Sequence, residues 1–217
     1  MIEPCTPPIR VRRATTAATV RAVSDEPTGR ARLTLVVHAS TRATATAAFA
    51  VDESLDDRGT AAVVRAREHV PRHDHGHHAP DTAAGETHDG LGLAGTSDLA
   101  LRGWDAGRWA GRTIDDVAAS EPNALHSWLT DPEATPHGGE SLSSLLARVG
   151  PALAAMPSGH TIAVAGPAVV RAATVVVLGA PPSAFWRIDA GPLTMTDLRG
   201  GPHRWTIRCT GRPLDPS

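Results

Sequence analysis

The segment that decides the fold is LTLVVHAST, which occupies residues 33–41. Its first five residues form an aliphatic and β-branched run, which is typical of a strand buried on both faces. The four residues after that run, His38 to Thr41, are small or polar, as expected where such a strand ends in a loop. Ligands of open α/β sheets bind beyond the carboxyl ends of the parallel strands. We therefore look for a functional site first at the end of this strand.

A second segment repeats this design further along the chain. The run TIAVA at residues 161–165 predicts another buried strand, and Gly166 and Pro167 lead into an apolar helix over residues 168–178. Helical spacing of apolar residues predicts further helices over 61–69, 82–91, 114–119, 124–129 and 142–153. Short strands are predicted over 185–188, 193–198 and 205–209. This alternation predicts an α/β fold, a three-layer α/β/α sandwich with a mainly parallel sheet.

Length and composition predict a single folded unit with flanking tails. The chain has 217 residues, of which 41% are hydrophobic, enough for one core of ordinary size. Residues 1–30 are rich in Thr, Ala, Pro and Arg and are predicted to be a flexible N-terminal extension. The domain is expected over residues 31–211, with a C-terminal tail at 212–217. No apolar run approaches the roughly 20 residues that span a bilayer, and arginines interrupt any secretory leader, so we expect a cytoplasmic protein that contacts no membrane.

The charged residues exclude several functional classes. All 21 basic residues are arginines, so chemistry that needs a lysine, such as Schiff-base formation, is impossible. The formal net charge of −2 predicts that the protein does not bind nucleic acid. The two cysteines, Cys5 and Cys209, lie near opposite ends of the chain and indicate neither a disulfide framework nor a zinc site.

Eleven histidines are an unusual number for a chain of this length, and four of them lie in the segment HDHGHH at residues 73–78. Closely spaced imidazoles can chelate zinc, nickel or cobalt. The weak candidates for such a site are His73, His75, His77 and His78. The alternative interpretation is a solvated loop that joins a helix to the next strand. The sequence alone leaves both interpretations open.

Five segments in order resemble the histidine phosphatase superfamily, which is also called phosphoglycerate mutase-like. The segment VVHAST at residues 36–41 is similar to the family's Arg-His-Gly motif and its nearby Thr. The other four matching segments are DESLDDRG at 52–59, GRWAGRT at 107–113, PHGGES at 136–141 and VAGPAVVRA at 164–172. The resemblance implies the α/β/α fold that the element order predicts.

The same resemblance implies a mechanism for phosphomonoester hydrolysis. His38 stands at the position of the histidine that attacks phosphorus and becomes phosphorylated. In the family, arginines and a second histidine neutralise the phosphoryl oxygens, and a carboxylic acid protonates the leaving alcohol. Thr41, Thr44 and Arg42 are the remaining candidates for substrate contacts. No metal or organic cofactor is implied, and the expected partner is a small phosphorylated metabolite. The sequence does not specify an oligomeric state.

Four of the five principal groups of that pocket are replaced in this chain. Val37 and Ala83 stand where the family has its two arginines, Gly103 where it has the acid, and Gly166 where it has the second histidine. Removal of one transition-state donor typically costs about 10²- to 10³-fold in rate. The resemblance therefore implies an impaired phosphoric monoester hydrolase, or a pseudoenzyme.

Several alternatives accompany this prediction. Arg42 or Arg72 is a candidate for restoring a lost charge to the pocket. His38 on its own is also compatible with a core histidine that bonds to the backbone. A non-catalytic binding or regulatory protein on the same fold, or metal handling by residues 73–78, are the competing functions.

Overall fold

The computed structural model describes residues 31–201 and 204–215, so the predicted extension at 1–30 lies outside the described residues. A six-stranded sheet forms the centre of the fold. Its strands are β1 (Ala31–Val37), β2 (His75–His78), β3 (Thr96–Ser97), β4 (Gly159–Ala165), β5 (Thr194–Gly201) and β6 (Arg204–Pro213). The order across the sheet is β3-β2-β4-β1-β5-β6. The first four strands of this order run parallel, whereas β5 and β6 are antiparallel to their neighbours. The predicted α/β fold with a mainly parallel sheet is confirmed.

Within residues 31–201 and 204–215, seven α-helices connect and flank these strands. They are α1 (Arg42–Ala45), α2 (Asp57–Ala66), α3 (Thr82–Gly90), α4 (Ile114–Ser120), α5 (Pro122–Thr130), α6 (Leu142–Ala154) and α7 (Pro167–Leu178). The side chain of Ser141 caps α6 by accepting a hydrogen bond from Ser144 N, as the sequence predicts. Pro167 lies in the first turn of α7, and Gly179 ends that helix in the left-handed conformation. No helix within the described residues is long and apolar enough to cross a membrane.

The core lies around β1 and β4, whose side chains are covered on both faces. Leu33, Leu35 and Val37 of β1 are all fully buried. A second, aromatic core lies beside the first. It brings Trp104, Trp109, Trp128 and Trp186 into mutual contact together with Phe49 and Phe185. Trp109 is fully buried, and Trp205 of β6 lies apart from this group.

The histidine-rich segment forms a strand, whereas the sequence analysis considered a solvated loop or a metal site. Residues His75–His78 form β2, which lies between β3 and β4 and pairs in parallel with both. The error has a physical reason. The strand is specified by backbone bonds from its neighbours, and its own side chains carry no apolar alternation.

A second error concerns residues 185–188, which were predicted as a strand. The chain there forms a 3-10 helix over Pro182–Arg187 that buries Phe185. A proline in the first turn favours a helical start. At the C-terminus, β6 continues to Pro213 and Leu214 is buried, so the folded unit includes residues that the sequence assigned to a tail.

Candidate active site

His38 directly follows β1 at the carboxyl end of the parallel strands. Its backbone N donates to the carbonyl of Ala165, the last residue of β4, at 3.0 Å. Its Nδ1 lies 2.9 Å from the carbonyl oxygen of Ala39. A carbonyl only accepts, so Nδ1 carries the proton in this bond, and Nε2 of the neutral ring keeps its lone pair. This tautomer is the one that an attacking imidazole requires.

Burial favours the neutral form of that ring. Desolvation lowers the pKa of His38 below its ordinary value, while the Ala39 carbonyl and the charges of Asp81 and Glu53 act in the opposite direction. The charged groups that act on His38 are thus carboxylates. A negatively charged surrounding is the reverse of what a phosphate dianion requires.

Gly166 faces the lone pair of His38 from the end of β4. A Cβ built at Gly166 would lie 3.8 Å from His38 Nε2, which is an ordinary van der Waals contact. The backbone of Gly166, with φ −71° and ψ 158°, is open to any residue. Neither the available space nor the backbone conformation requires glycine at position 166. The position that faces His38 Nε2 therefore lacks a side chain although one would fit.

The two positions where the resemblance calls for arginines also lack charge. Val37, the last residue of β1, is fully buried in the core, and Ala83 is buried in the first turn of α3. Neither side chain can donate a hydrogen bond.

A carboxylate stands beside the position of the missing acid. A Cβ at Gly103 would meet Oδ1 of Asp81 at 3.1 Å, and Gly103 N donates to Asp81 Oδ2 at 2.9 Å. Asp81 directly precedes α3, at the N-cap position. The sequence interpretation missed this residue because an aspartate before a helix is a common structural cap. Its bond to Gly103 N is a structural role, and its charge is felt at His38.

Three further carboxylates tie the segment between α1 and α2 to neighbouring helices. Glu53 accepts from Ala43 N at 2.7 Å, and Asp52 accepts from Thr82 N at 2.8 Å. Leu55 N in turn donates to Glu86 at 2.8 Å. The acidic side chains on this side of His38 are therefore engaged with backbone donors, and they hold the segment in place.

The sequence that builds this fold and site matches one known family. The family model of the histidine phosphatase superfamily (branch 1) matches residues 33–212. The chain belongs to the histidine phosphatase superfamily. The resemblance seen in the five sequence segments is confirmed.

Solved histidine phosphatases share this fold at low sequence identity. A mycobacterial glucosyl-3-phosphoglycerate phosphatase is 23% identical with a TM-score of 0.72, over 84% of this chain and 99% of its own. An alpha-ribazole phosphatase from Shigella flexneri is 17% identical with a TM-score of 0.72, over 83% of this chain and 96% of its own. No curated protein sequence matches this chain.

The three predicted substrate contacts lie on the loop after His38 and in α1. Thr41 and Thr44 form a capping box, in which Thr41 N donates to Thr44 Oγ1 at 2.8 Å and Thr44 N donates to Thr41 Oγ1 at 3.3 Å. Thr44 Oγ1 also donates to the carbonyl of Thr41 at 2.9 Å. Both hydroxyls are thus used to start α1. Arg42 is exposed in the same helix.

Arg72 is not a candidate for a replacement charge, contrary to the sequence interpretation. His160 Nδ1 donates to the carbonyl of Arg72 at 2.6 Å, where β4 begins. In the sheet register, this end of β4 lies beside the start of β1. His38 lies at the other end, about 20 Å away along a seven-residue strand. The connection before β2 places Arg72 at the end of the strands opposite His38. The sequence could not reveal the path of this connection.

The histidine-rich strand does not form a multidentate metal centre within residues 31–201 and 204–215. No group of three or more His, Cys, Asp or Glu side chains there is arranged to hold a metal ion. Alternation along β2 places His75 and His77 on one face and His78 on the other. The ring of His78 instead lies 4.8 Å from that of His88, and its Nδ1 donates to the Ala79 carbonyl at 2.7 Å. His73 precedes the strand and bonds to the carbonyl of Pro71.

Three histidines that are partly or fully withdrawn from solvent predict acid sensitivity of this histidine phosphatase fold. Desolvation lowers the pKa of His38, His137 and His160 below the ordinary value of 6.5. Below that value the unfolded chain binds more protons than the folded chain, so folding stability falls as pH decreases from 6.5 through the lowered folded-state values. We expect the urea midpoint to be nearly constant above pH 7.5 and to decrease between pH 6.5 and 5.

The substitution His137→Asn isolates the contribution of the His137 ring to this pH dependence of stability. His137 Nδ1 accepts from Gly139 N at 2.9 Å, and protonation would destroy that acceptor. In His137→Asn, the loss of midpoint between pH 7.5 and 5.5 should be smaller than in the wild type. An unchanged pH dependence would show that His137 does not contribute.

Proposed function

We propose that this chain is a histidine phosphatase superfamily protein that has lost phosphomonoesterase activity. It derives from hydrolases of small phosphorylated metabolites and acts as a non-catalytic binding or regulatory protein. The observation that carries the proposal is the surrounding of His38. Gly166 faces the nucleophilic Nε2 without a side chain, and the charges that act on the ring come from Asp81 and Glu53.

The physical argument concerns charge in the transition state. Phosphoryl transfer depends on positioning and on cations that stabilise the negative charge spread over the phosphoryl oxygens. In the aligned positions, buried Val37 and Ala83 offer no cation, and neither does Gly166. The carboxylate of Asp81 adds repulsion at the site. A correctly oriented imidazole alone does not supply the missing stabilisation, which in the family comes from several groups acting together.

The retained tautomer of His38 follows from local structure and does not require selection for catalysis. The bond from Nδ1 to Ala39 satisfies a half-buried ring at the end of a core strand. This is the structural role that the sequence left open for His38.

Hydrolysis of p-nitrophenyl phosphate by the full-length chain tests this proposal. We expect wild type and His38→Ala to release p-nitrophenol at the same rate, within a factor of about two, because His38 lacks the groups that make its attack productive. A phosphatase that hydrolyses p-nitrophenyl phosphate serves as the positive control for the assay. Robust turnover by the wild type that disappears in His38→Ala would refute the proposal.

A further inference from the structure

A cavity lies beside the loop that follows His38, between α1, α2 and the chain around the start of β5 and the end of β6. Its volume of about 470 Å³ falls in the range of roughly 300–1,000 Å³ that small-molecule sites occupy. Ser40 and Thr44 belong to its lining, whereas His38 and Gly166 do not. The cavity is therefore separate from the ancestral pocket, and the chemistry of the family does not account for it.

The lining combines an apolar surface with two arginines of one helix. Arg58, Ala62 and Arg65 follow each other at intervals of four and three residues, so they share one face of α2. The two arginines are about 10 Å apart along the helix axis, with the alanine between them. Apolar surface with a few polar groups is the composition of a ligand pocket. The other apolar members of the lining are Ala45, Pro192, Leu193 and Pro213.

The cavity carries an excess of positive charge. Within the described chain, Asp215 supplies the one carboxylate of the lining, and this group lies 3.7 Å from Arg65 Nε. No carboxylate among residues 31–201 and 204–215 forms an ion pair with Arg58. Asp56, whose pKa is lowered chiefly by its hydrogen bond from Ser40, feels the charge of Arg58 only at longer range. Two guanidinium groups and one carboxylate leave the lining with a net charge of +1, and Arg58 is the cation open to a ligand.

Backbone contacts hold the apolar wall in place. Leu193 has a φ of 53°, in the left-handed region that leucine rarely adopts. Its N donates to the carbonyl of Val37 at 3.1 Å, and its own carbonyl accepts from Leu214 N at 2.8 Å. An unfavourable backbone conformation persists only where the surrounding structure fixes it. The wall at Leu193 is therefore rigid, as expected of a pre-formed site.

We propose that this cavity binds a small organic carboxylate, whose charged group pairs with Arg58 and whose apolar body packs against Ala62, Leu193 and Pro213. One guanidinium group offers the paired donors that a carboxylate accepts. The single negative charge of such a ligand matches the net charge of the lining. Withdrawal of its apolar body from water supplies the rest of the binding free energy.

A phosphate ester fits this cavity less well than a carboxylate. The hydroxyl of Ser40 donates to Asp56 at 2.7 Å, and that of Thr44 donates to the carbonyl of Thr41 at 2.9 Å. A hydroxyl has one proton, so neither group can also donate to a phosphoryl oxygen. A dianion would in addition be repelled by the carboxylate of Asp215. These observations favour a monoanion whose two oxygens are bound by one guanidinium group.

Isothermal titration calorimetry of the full-length chain with octanoate tests this proposal. Among three further probes, 1-octanol lacks the charge, acetate lacks the apolar body, and octyl phosphate carries a second negative charge. Arg58→Met removes the expected partner, Asp215→Asn removes the repelling carboxylate, and Ala62→Leu fills the space between the two arginines. Arg67→Met is the matched control, because Arg67 is exposed after α2 and lies outside the lining. Thermal unfolding verifies that each variant is folded.

We expect saturable binding of octanoate at micromolar to millimolar concentration. Arg58→Met should weaken this binding at least threefold, which is the scale of an ion pair at a partly exposed site. Asp215→Asn should strengthen it, Ala62→Leu should abolish it, and Arg67→Met should leave it unchanged. The other three probes should bind at least threefold more weakly than octanoate. Added salt should weaken the binding of octanoate but not that of 1-octanol.

No saturable binding of octanoate at millimolar concentration would overturn the proposal. Equal weakening in Arg58→Met and Arg67→Met, or unchanged binding in Ala62→Leu, would overturn it as well, because octanoate would then lie elsewhere. Tighter binding of octyl phosphate would overturn the proposed ligand class in favour of phosphate esters. The salt dependence needs no variant, and it separates ionic from purely apolar binding even if Asp215→Asn does not fold. The outcome is independent of whether His38 catalyses hydrolysis.

Discussion

Restoration of three pocket groups is expected to raise p-nitrophenyl phosphate hydrolysis by about 10²- to 10³-fold over the wild type. The variant carries Gly166→His, Ala83→Arg and Gly103→Glu, together with Asp81→Leu. A side chain at Gly166 begins 3.8 Å from His38 Nε2, so an imidazole there faces the position of a transferring phosphoryl group. The fourth change is needed because Asp81 Oδ1 lies 3.1 Å from the Cβ of a residue at 103 and would repel a second carboxylate.

Val37→Arg is left out of this variant because Val37 is fully buried in a core strand, whereas Ala83 is 5% exposed and lies in the first turn of α3. A guanidinium forced into that core would cost several kcal/mol unless it found partners. One family cation therefore remains missing, and the expected gain is well short of a native phosphatase. Of the four changes, Gly166→His and Ala83→Arg should contribute most to the gain in rate, because they introduce the two cationic groups.

The decisive control is the same variant with His38→Ala, in which the gain should vanish. Acid-labile incorporation of phosphate from labelled substrate would report the phosphohistidine directly. A gain that survives His38→Ala would show that the new residues act without the ancestral nucleophile. No gain in a variant whose urea midpoint matches the wild type would contradict our account of which groups were lost.

Arg148→Met is expected to lower the free energy of unfolding by about 3–5 kcal/mol. Arg148 and Glu140 form a two-point ion pair, with Nε to Oε1 at 2.7 Å and a terminal nitrogen to Oε2 at 3.0 Å. Their side chains are only 13% and 10% exposed. The guanidinium also donates to the carbonyls of Ala100 and Gly103. Its removal leaves a buried carboxylate and two carbonyls without their main donor.

Urea unfolding at pH 7.5 measures this effect, and Arg67→Met, at an exposed position, should change stability by less than about 0.5 kcal/mol. The double variant Arg148→Met with Glu140→Leu should recover part of the loss, because no unpaired charge then remains buried. A loss below about 1 kcal/mol in Arg148→Met would show that solvent or Arg102, 3.6 Å from Glu140, compensates for the missing partner.

The elements predicted best from sequence are those whose own side chains specify them. The strands at 33–37 and 161–165 and the helix at 142–153 were predicted correctly because apolar runs or helical spacing are local signals. Strand β2 was missed because its sequence, HGHH, has no such pattern and its pairing comes from β3 and β4. Residues 182–187 were missed because the buried Phe185 sits on a helical turn that a short window cannot distinguish from a strand.

The same distinction holds for the candidate site. The juxtaposition of His38 and Gly166 was available from the sequence, because both follow strands of a parallel sheet. The approach of Asp81 to Gly103 was not, since it depends on how the loop after β2 meets a segment 22 residues later. Placement of Arg72 at the opposite end of the sheet likewise depends on the path between α2 and β2.

The tryptophans give this protein two separate optical signals, one from the aromatic core and one from Trp205. Four tryptophan rings lie within about 6 Å of a neighbouring ring, with Trp128 only 4.6 Å from Trp186, so excitation is shared among them and their near-ultraviolet circular dichroism reflects the group. Trp205 stands outside this group, on the outer strand β6. Its emission can therefore follow events at the edge of the sheet while the coupled rings follow the loops around the ancestral catalytic end.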